Sequence, residues 1–120
     1  MSLTANVICR GDIFRVSLDP VVGSEQGKTR PCVVIQNDLG NKNSTVTIIA
    51  CITSNLARKD RPDNVFVTAK ETGLVCDSLV MLNQIRTVDK TRLIKKLGVI
   101  PEAKMLEIDI ALTISLDLSR

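Results

Sequence analysis

The chain has 120 residues, of which 44% are hydrophobic and 24% are charged, proportions that are typical of soluble globular proteins. We expect a single domain over residues 1–120, because a chain of this length buries enough surface to fold without a disulfide or a metal. No apolar run is long enough to span a bilayer, and the N-terminus lacks a signal-peptide pattern. The sequence therefore predicts a cytoplasmic protein that does not associate with membranes.

Several catalytic mechanisms and metal sites are excluded because the sequence lacks the residue types that they require. The sequence contains no histidine, and its four cysteines form no CxxC pair, which excludes Ser-His-Asp and Cys-His catalysis and Cys/His zinc sites. There is no Walker loop or GxGxxG motif, and the carboxylates are scattered. We expect no metal and no cofactor, and reduced thiols that pack as small hydrophobes, with Cys76 the candidate surface thiol. Arg, Lys, Thr, Ser, Gln, Asn or a lone carboxylate must then carry any chemistry.

The charge is unevenly distributed along the chain. The formal net charge is +3, but residues 86–96 carry five cations and one anion, whereas residues 102–120 carry four anions and two cations. Such segregation is expected when one face of a protein meets an anionic partner. A solvated basic edge strand is an equally good explanation of the pattern.

Strand patterns dominate the first hundred residues. A long polar loop, residues 19–30, separates the first strand from a buried β-branched run that opens at Pro31, and ordered loops of this length are usually functional. Residues 37–44 read as a turn-rich connector, 54–64 as a surface loop, and 89–92 as one helical turn. The predicted strands are Asp12–Leu18, Cys32–Ile35, Val46–Ile52, Val65–Thr68, Leu79–Val88 and Leu93–Ile100.

A C-terminal helix is predicted from Pro101-Glu102 to about Leu118, because proline and an acidic residue suit a first helical turn. Apolar residues lie on two opposite sides of this helix, and a helix that covers one sheet needs only one apolar stripe. The second stripe indicates a homodimer interface, with insertion of the helix into the core as the alternative. One side holds Ala103, Leu106, Ile110 and Ile114, and the other holds Met105, Ile108, Leu112 and Leu116.

These elements predict a mainly β fold with helices, a small and strongly curved β-barrel with a C-terminal helix. Within it, Arg30 stands between a glycine-containing loop and a buried strand, and its planar fork of donors matches a phosphate. An ion pair with Glu25 or Asp38 is the alternative role for this arginine. Thr53 ends the most apolar strand, where its hydroxyl either faces the polar loop or caps a backbone group. With only two phenylalanines as aromatic residues, recognition of a nucleic acid would depend on hydrogen bonds and charge.

The chain resembles the MazF/PemK toxins over almost all of its length, from Arg10 to Leu118. The resemblance is carried by several motifs with matching spacing. They are Arg10-Gly-Asp-Ile, Leu18-Asp-Pro, Gly23-Ser-Glu-Gln-Gly, Thr29-Arg-Pro, Val33-Val-Ile-Gln-Asn-Asp-Leu-Gly-Asn41, Ala50-Cys-Ile-Thr-Ser54, Asp77-Ser78, Asn83-Gln-Ile-Arg-Thr-Val-Asp89 and Ile114-Ser-Leu.

The resemblance implies an SH3-like or CcdB-like barrel, a symmetric homodimer, and a toxin of a type II toxin–antitoxin system. It also implies a metal-independent endoribonuclease that cuts single-stranded RNA to 2′,3′-cyclic phosphate and 5′-OH ends, and a MazE-like antitoxin as partner. Arg30 and Thr53 match the catalytic arginine and threonine of the family. The residues expected to bind RNA are Ser24, Glu25, Gln26, Lys28, Ser54, Asn83 and Gln84.

Two departures from the family pattern narrow the expected mechanism. The PemK/Kid branch uses a histidine, an arginine and an aspartate where this chain has Ser24, Met81 and Asn83, so the chain fits the Arg/Thr type. Some members have glutamate at the position of Asn83, which leaves the cleaved RNA sequence open. The alternative function is a non-catalytic CcdB-like module on the same fold that poisons gyrase.

Overall fold

The computed structural model describes residues 7–18 and 28–118 of the chain. Six strands form one antiparallel sheet in the order β4-β5-β3-β2-β1-β6. The strands are β1 (Asp12–Ser17), β2 (Thr29–Val34), β3 (Val46–Thr53), β4 (Asn64–Val67), β5 (Ser78–Asp89) and β6 (Leu93–Val99). The helices are α1 (Asp38–Asn43), α2 (Ala69–Thr72) and α3 (Glu102–Leu116), and a 3₁₀ turn spans Lys90–Arg92.

The mainly β class with a C-terminal helix is confirmed, and all six predicted strands are present with ends shifted by no more than three residues. In the hydrogen-bonded order, β4 and β6 are the two ends of the sheet. The single helical turn predicted after β5 is also present, and its start is capped by Asp89, whose carboxylate accepts hydrogen bonds from the backbone N–H and the hydroxyl of Thr91 at 2.9 and 2.8 Å.

The sheet is buried on both faces, because two separate hydrophobic clusters pack against it. Ile13 belongs to the first cluster and Phe14 to the second, and neighbouring side chains of a strand point to opposite faces. This explains why β1 departs from a simple apolar–polar alternation. The first cluster holds Ile13, Val33, Ala50, Ile52, Ile108 and Ala111 among others, and the second holds Phe14, Val16, Cys32, Val34, Ile49, Cys51 and Val88.

Helix α3 covers the first cluster with one of its two apolar sides. Ile108 is fully buried and Met105 packs against the same core, and Arg10 ties the helix to the sheet through Asp109 at 2.7 Å and the carbonyl of Ile35 at 2.8 Å. The opposite side of the helix is exposed within the chain, so insertion of the whole helix into the core is excluded. This exposed stripe comprises Leu106, Ile110 and Ile114, with exposed fractions of 61%, 62% and 49%.

The connector at residues 37–44, predicted to be rich in turns, contains helix α1 instead. The Asn37 side chain caps the helix by accepting from the backbone N–H of Gly40 at 2.7 Å. Asn41 is buried, and its Oδ1 accepts from the hydroxyl of Thr47 at 2.7 Å and from Gln36 at 3.0 Å. Buried polar groups of this kind are stable only when they are paired, so this network fixes α1 against β3.

A second short helix, α2, precedes the turn that was predicted at Gly73. Thr68 and Glu71 form a reciprocal capping box at its start, and Gly73 ends it with φ of 90°, a conformation that favours glycine. Strand β6 passes very close to this helix end, because a Cβ on Gly98 would lie 2.0 Å from the carbonyl oxygen of Thr72. None of the helices in the two described ranges is long and apolar enough to cross a membrane.

Candidate active site

Strands β2 and β3 bring Arg30 and Thr53 to the same end of the sheet. The paired register of these strands ends with Cys32 opposite Cys51; Arg30 lies two residues before Cys32 on β2, and Thr53 lies two residues after Cys51 on β3. Because side chains alternate along a strand, this pair points to the same face as the two cysteines. Both residues also line one cavity of about 660 Å³. The sequence motif that ends β3 and the one that opens β2 therefore meet in space.

The hydroxyl of Thr53 is oriented by its own chain. Its oxygen accepts a hydrogen bond from the backbone N–H of Asn55 at 3.1 Å, so the backbone-capping role that was the alternative for this residue is observed. A hydroxyl can accept and donate at the same time. The Thr53 hydrogen therefore stays available for a group bound in the cavity, with the oxygen already held in place.

Arg30 is exposed at the mouth of the cavity. Within residues 7–18 and 28–118 it makes no ion pair, because Asp38 accepts instead from the backbone N–H of Arg10 at 2.7 Å and from Asn41 at 3.1 Å. The other alternative partner, Glu25, lies outside the described residues. Arg15 and Lys28 line the same cavity, and its lining among the described residues includes no carboxylate. This electrostatic character suits a phosphate or another anion.

A second cavity of about 270 Å³ adjoins the first, and Thr53 lines both. Most of its lining residues are polar, and they combine amide side chains with two arginines. Asn64 contributes a buried Oδ1 that has no hydrogen-bond partner within the described part of the chain, while its Nδ2 donates to the carbonyl of Arg58 at 2.9 Å. The lining residues are Thr53, Asn55, Arg58, Arg61, Asn64, Leu79, Met81, Asn83 and Gln84.

The residues expected to bind RNA are divided between the two cavities. Lys28 and Ser54 line the first together with Arg30 and Thr53, whereas Asn83 and Gln84 line the second. The residues expected in the long loop, Ser24, Glu25 and Gln26, lie outside the described residues. The groups predicted from separate motifs therefore line two cavities that share Thr53.

Some residues of these two cavities were missed in the sequence. Arg15 lies in the first cavity because β1 pairs it with Pro31, next to Arg30. Arg58, Arg61 and Asn64 were assigned only to a surface loop, although they line the second cavity. The one local signal was the density of polar residues just after Thr53, and only the pairing of β4 with β5 shows where they converge. Cys76, which the sequence marked as a candidate surface thiol, is exposed and lines the first cavity.

The fold and the cationic first cavity define a small antiparallel β protein with a C-terminal helix and a site suited to an anion. A family model described as PemK-like, MazF-like toxin of type II toxin-antitoxin system matches residues 9–116. The chain is also 49% identical to Endoribonuclease MazF of Staphylococcus epidermidis over 113 residues, or 94% of each chain. It is 46% identical to Endoribonuclease EndoA of Bacillus subtilis over 93% of this chain and 97% of the relative. The chain belongs to the PemK/MazF toxin family.

Solved structures of lower identity share the fold. A MazE–MazF complex from Deinococcus radiodurans superposes with a TM-score of 0.79 at 24% identity, covering 94% of this chain and 98% of the other. A mycobacterial endoribonuclease in complex with its cognate antitoxin gives a TM-score of 0.77 at 24% identity, with coverage of 93% and 97%. The family assignment and the endoribonuclease relatives do not favour the CcdB-like alternative.

Proposed function

We propose that this chain is an endoribonuclease toxin that cuts single-stranded RNA in the cytoplasm without a metal ion. The observation that carries the proposal is the meeting of Arg30 and Thr53, from two neighbouring strands, at a cavity lined with cations. The activity itself is that of the relatives, which are named endoribonucleases. Arg30 and Thr53 are the residues that we propose perform it here.

The proposed reaction is an internal transfer at one phosphodiester. The ribose 2′-oxygen attacks the adjacent phosphorus, the bond to the 5′-oxygen of the next nucleotide breaks, and the 2′ proton is finally carried by that leaving oxygen. The products are a 2′,3′-cyclic phosphate and a 5′-OH. Negative charge accumulates on the non-bridging oxygens during this step, and preorganised donors accelerate a reaction most when they meet such charge.

Arg30 is placed to supply most of that stabilisation. Its guanidinium stays protonated at every accessible pH and presents paired N–H donors to two phosphate oxygens. Because it stays protonated, it is a poor base, and its role is electrostatic. Thr53 adds a third donor from the opposite strand, with its oxygen already oriented by the N–H of Asn55.

Recognition of the RNA sequence is proposed to take place in the second cavity. Asn83 and Gln84 are exposed on β5 and carry amides that both donate and accept, which suits the edges of unpaired bases. Lys28 and Ser54 line the first cavity and contact the backbone beside the cleaved bond. Ser24, Glu25 and Gln26 remain proposed contacts from the long loop.

The proposed assembly is a homodimer that a MazE-like antitoxin inhibits. The exposed stripe of α3 supports the dimer, because contiguous exposed apolar residues mark interaction surfaces. The similarity of the fold to structures of toxin–antitoxin complexes supports an antitoxin as partner, since two of those structures contain the bound antitoxin.

The test uses purified protein and a mixed single-stranded RNA with a chelator present throughout. We expect cleavage that leaves 2′,3′-cyclic phosphate ends, and we expect Arg30→Ala to slow it by about 100- to 1,000-fold, as for removal of an oxyanion donor. Lys42→Ala, an exposed cation on α1 outside both cavities, is the matched control and should cut at the parent rate. A folded Arg30→Ala protein that cuts as fast as its parent would overturn the assignment.

A further inference from the structure

The second hydrophobic cluster contains two thiols that face each other. Cys32 on β2 and Cys51 on β3 are register partners, and both are buried, with exposed fractions of 0% and 7%. Cys9 and Cys76 are exposed and lie elsewhere on the chain. The proposed cleavage reaction does not use the buried pair.

The type of strand pairing at these cysteines follows from the hydrogen bonds of the neighbouring residues. The backbone N–H of Ile35 donates to the carbonyl of Ile48 at 2.8 Å, and the register places Ile35 opposite Ile48. Because hydrogen-bonded and non-hydrogen-bonded pairs alternate along antiparallel strands, Cys32 and Cys51 occupy a non-hydrogen-bonded pair. The Cα atoms of such a pair are about 4.5 Å apart, at the short end of the range of about 4.4–6.8 Å that a disulfide spans.

The charges around the pair favour a reactive thiolate. The neighbouring Cys32 thiol lowers the pKa of Cys51 to about 7, and the positive charges of Arg30 and Arg86 act in the same direction. The neighbouring Cys51, together with burial, raises the pKa of Cys32 above its ordinary value, and the Cys32 thiol donates a hydrogen bond to the carbonyl of Arg30 at 3.7 Å. Cys51 is therefore the nucleophilic member, since cysteine reactivity depends on the thiolate, and it is also the member that keeps some access to solvent.

We propose that Cys32 and Cys51 form a redox-modification site, in which a peroxide joins the two thiols in a cross-strand disulfide that lowers RNA cleavage. The effect on cleavage rests on the proposed function, whereas formation of the bond does not.

The chemistry balances with a peroxide as the two-electron oxidant. The Cys51 thiolate attacks one oxygen of hydrogen peroxide, the O–O bond breaks, and the departing hydroxide takes up a proton to become water. The Cys32 sulfur then attacks the sulfenic sulfur of Cys51, forming the S–S bond and releasing a second water. Two thiols are oxidised and one peroxide is reduced, and a dithiol reductant reverses the result.

The position of the pair explains how the bond would reach the active site. Arg30 and Thr53 lie two residues further along the same strands and point to the same face. A disulfide fixes the distance and the twist of the strands at Cys32 and Cys51, and the next pair on that face shifts with them. A misplacement of about 1 Å at a reacting group costs roughly 100-fold in rate, so we expect a loss of that order.

The first measurement is independent of RNA. In the variant Cys9→Ser/Cys76→Ser, only the buried pair remains, and free thiols are counted after denaturation, before and after exposure of the folded protein to hydrogen peroxide. We expect two thiols to fall to none, with a mass loss of two hydrogens and full recovery in dithiothreitol. Two remaining thiols, or oxidation of the sulfurs without a disulfide, would overturn the site.

The second measurement is RNA cleavage by the parent chain, oxidised and reduced, because Cys76 lines the first cavity and is kept in this assay. Cys32→Val in the parent chain is the control that cannot form the bond. We expect a loss of about 100-fold on oxidation, recovery on reduction, and no reversible loss in the control. If Cys32→Val fails to fold, the parent chain serves alone, with the disulfide located by peptide mapping. A disulfide without loss of cleavage overturns the regulatory role. Absence of cleavage in the reduced protein overturns the proposed function. In that case the thiol count alone tests whether Cys32 and Cys51 form a disulfide.

Discussion

The exposed stripe of α3 gives a quantitative prediction about assembly. Ile110 has 62% of its surface exposed in the single chain, and burying a whole isoleucine contributes about 1.5–3 kcal/mol. Covering the remaining surface is thus worth about 1–2 kcal/mol per copy. In a symmetric dimer the residue counts twice, so Ile110→Gln should cost about 2–4 kcal/mol of association, or roughly 30- to 1,000-fold in dissociation constant.

Two variants separate this effect from general damage. Leu39→Gln alters a residue on α1 that is 73% exposed, and we expect it to leave association unchanged. Ile108→Val alters the buried side of α3, so it should lower the free energy of unfolding by about 0.5–1.5 kcal/mol without a specific effect on association.

Sedimentation velocity over a concentration series measures association, and urea denaturation followed by circular dichroism measures stability. The parent chain is expected to be a dimer at micromolar concentration, and Ile110→Gln a monomer over part of that range. A parent chain that sediments only as a 13.1 kDa monomer would refute the reasoning. So would an Ile110→Gln variant that associates as tightly as Leu39→Gln.

Three further predictions address packing, specificity and pH. Gly98→Ala forces a Cβ to within 2.0 Å of the Thr72 carbonyl and should destabilise the protein by about 1–3 kcal/mol or more, measured by urea denaturation. Asn83→Glu should change the cleaved sequence more than the total rate, as read by sequencing of the product ends. The hydrogen bond from Arg61 lowers the pKa of Asp63, so its stabilisation is present above the ordinary aspartate pKa and is lost as pH falls through the lowered value. In the variant Arg61→Gln, the urea denaturation midpoint should depend less on pH in this acidic range.

The strands and α3 could be predicted because their signals lie within short windows of sequence. A β-branched run such as Val46–Ile52 or the change of period at Pro101 is visible without any tertiary contact. Helix α2 carried a readable signal that was missed, since Thr68 and Glu71 have the spacing of a capping box. Helix α1 is different. Its composition favours a turn, and it is stabilised by Asn41, which bonds to Thr47 on the next strand.

The site could be predicted residue by residue but not as a surface. Arg30 and Thr53 are individually recognisable by motif, because each follows or opens an apolar strand. The role of Arg15, Arg58 and Asn64 depends on which strands are neighbours, and the order β4-β5-β3-β2-β1-β6 is not written in any local pattern. Sequence therefore predicts the groups that could carry the chemistry, and strand order decides which of them share a cavity.

The register between β2 and β3 connects the proposed active site with the proposed redox site. Cys32 lies opposite Cys51, and Arg30 and Thr53 lie two residues further along the same two strands. Cys32 and Cys51 form a non-hydrogen-bonded pair, whose side chains approach more closely than those of a hydrogen-bonded pair. Because Arg30 and Thr53 line one cavity at the end of these strands, a change in the spacing of the strands at the two cysteines also changes the distance between the two proposed catalytic residues.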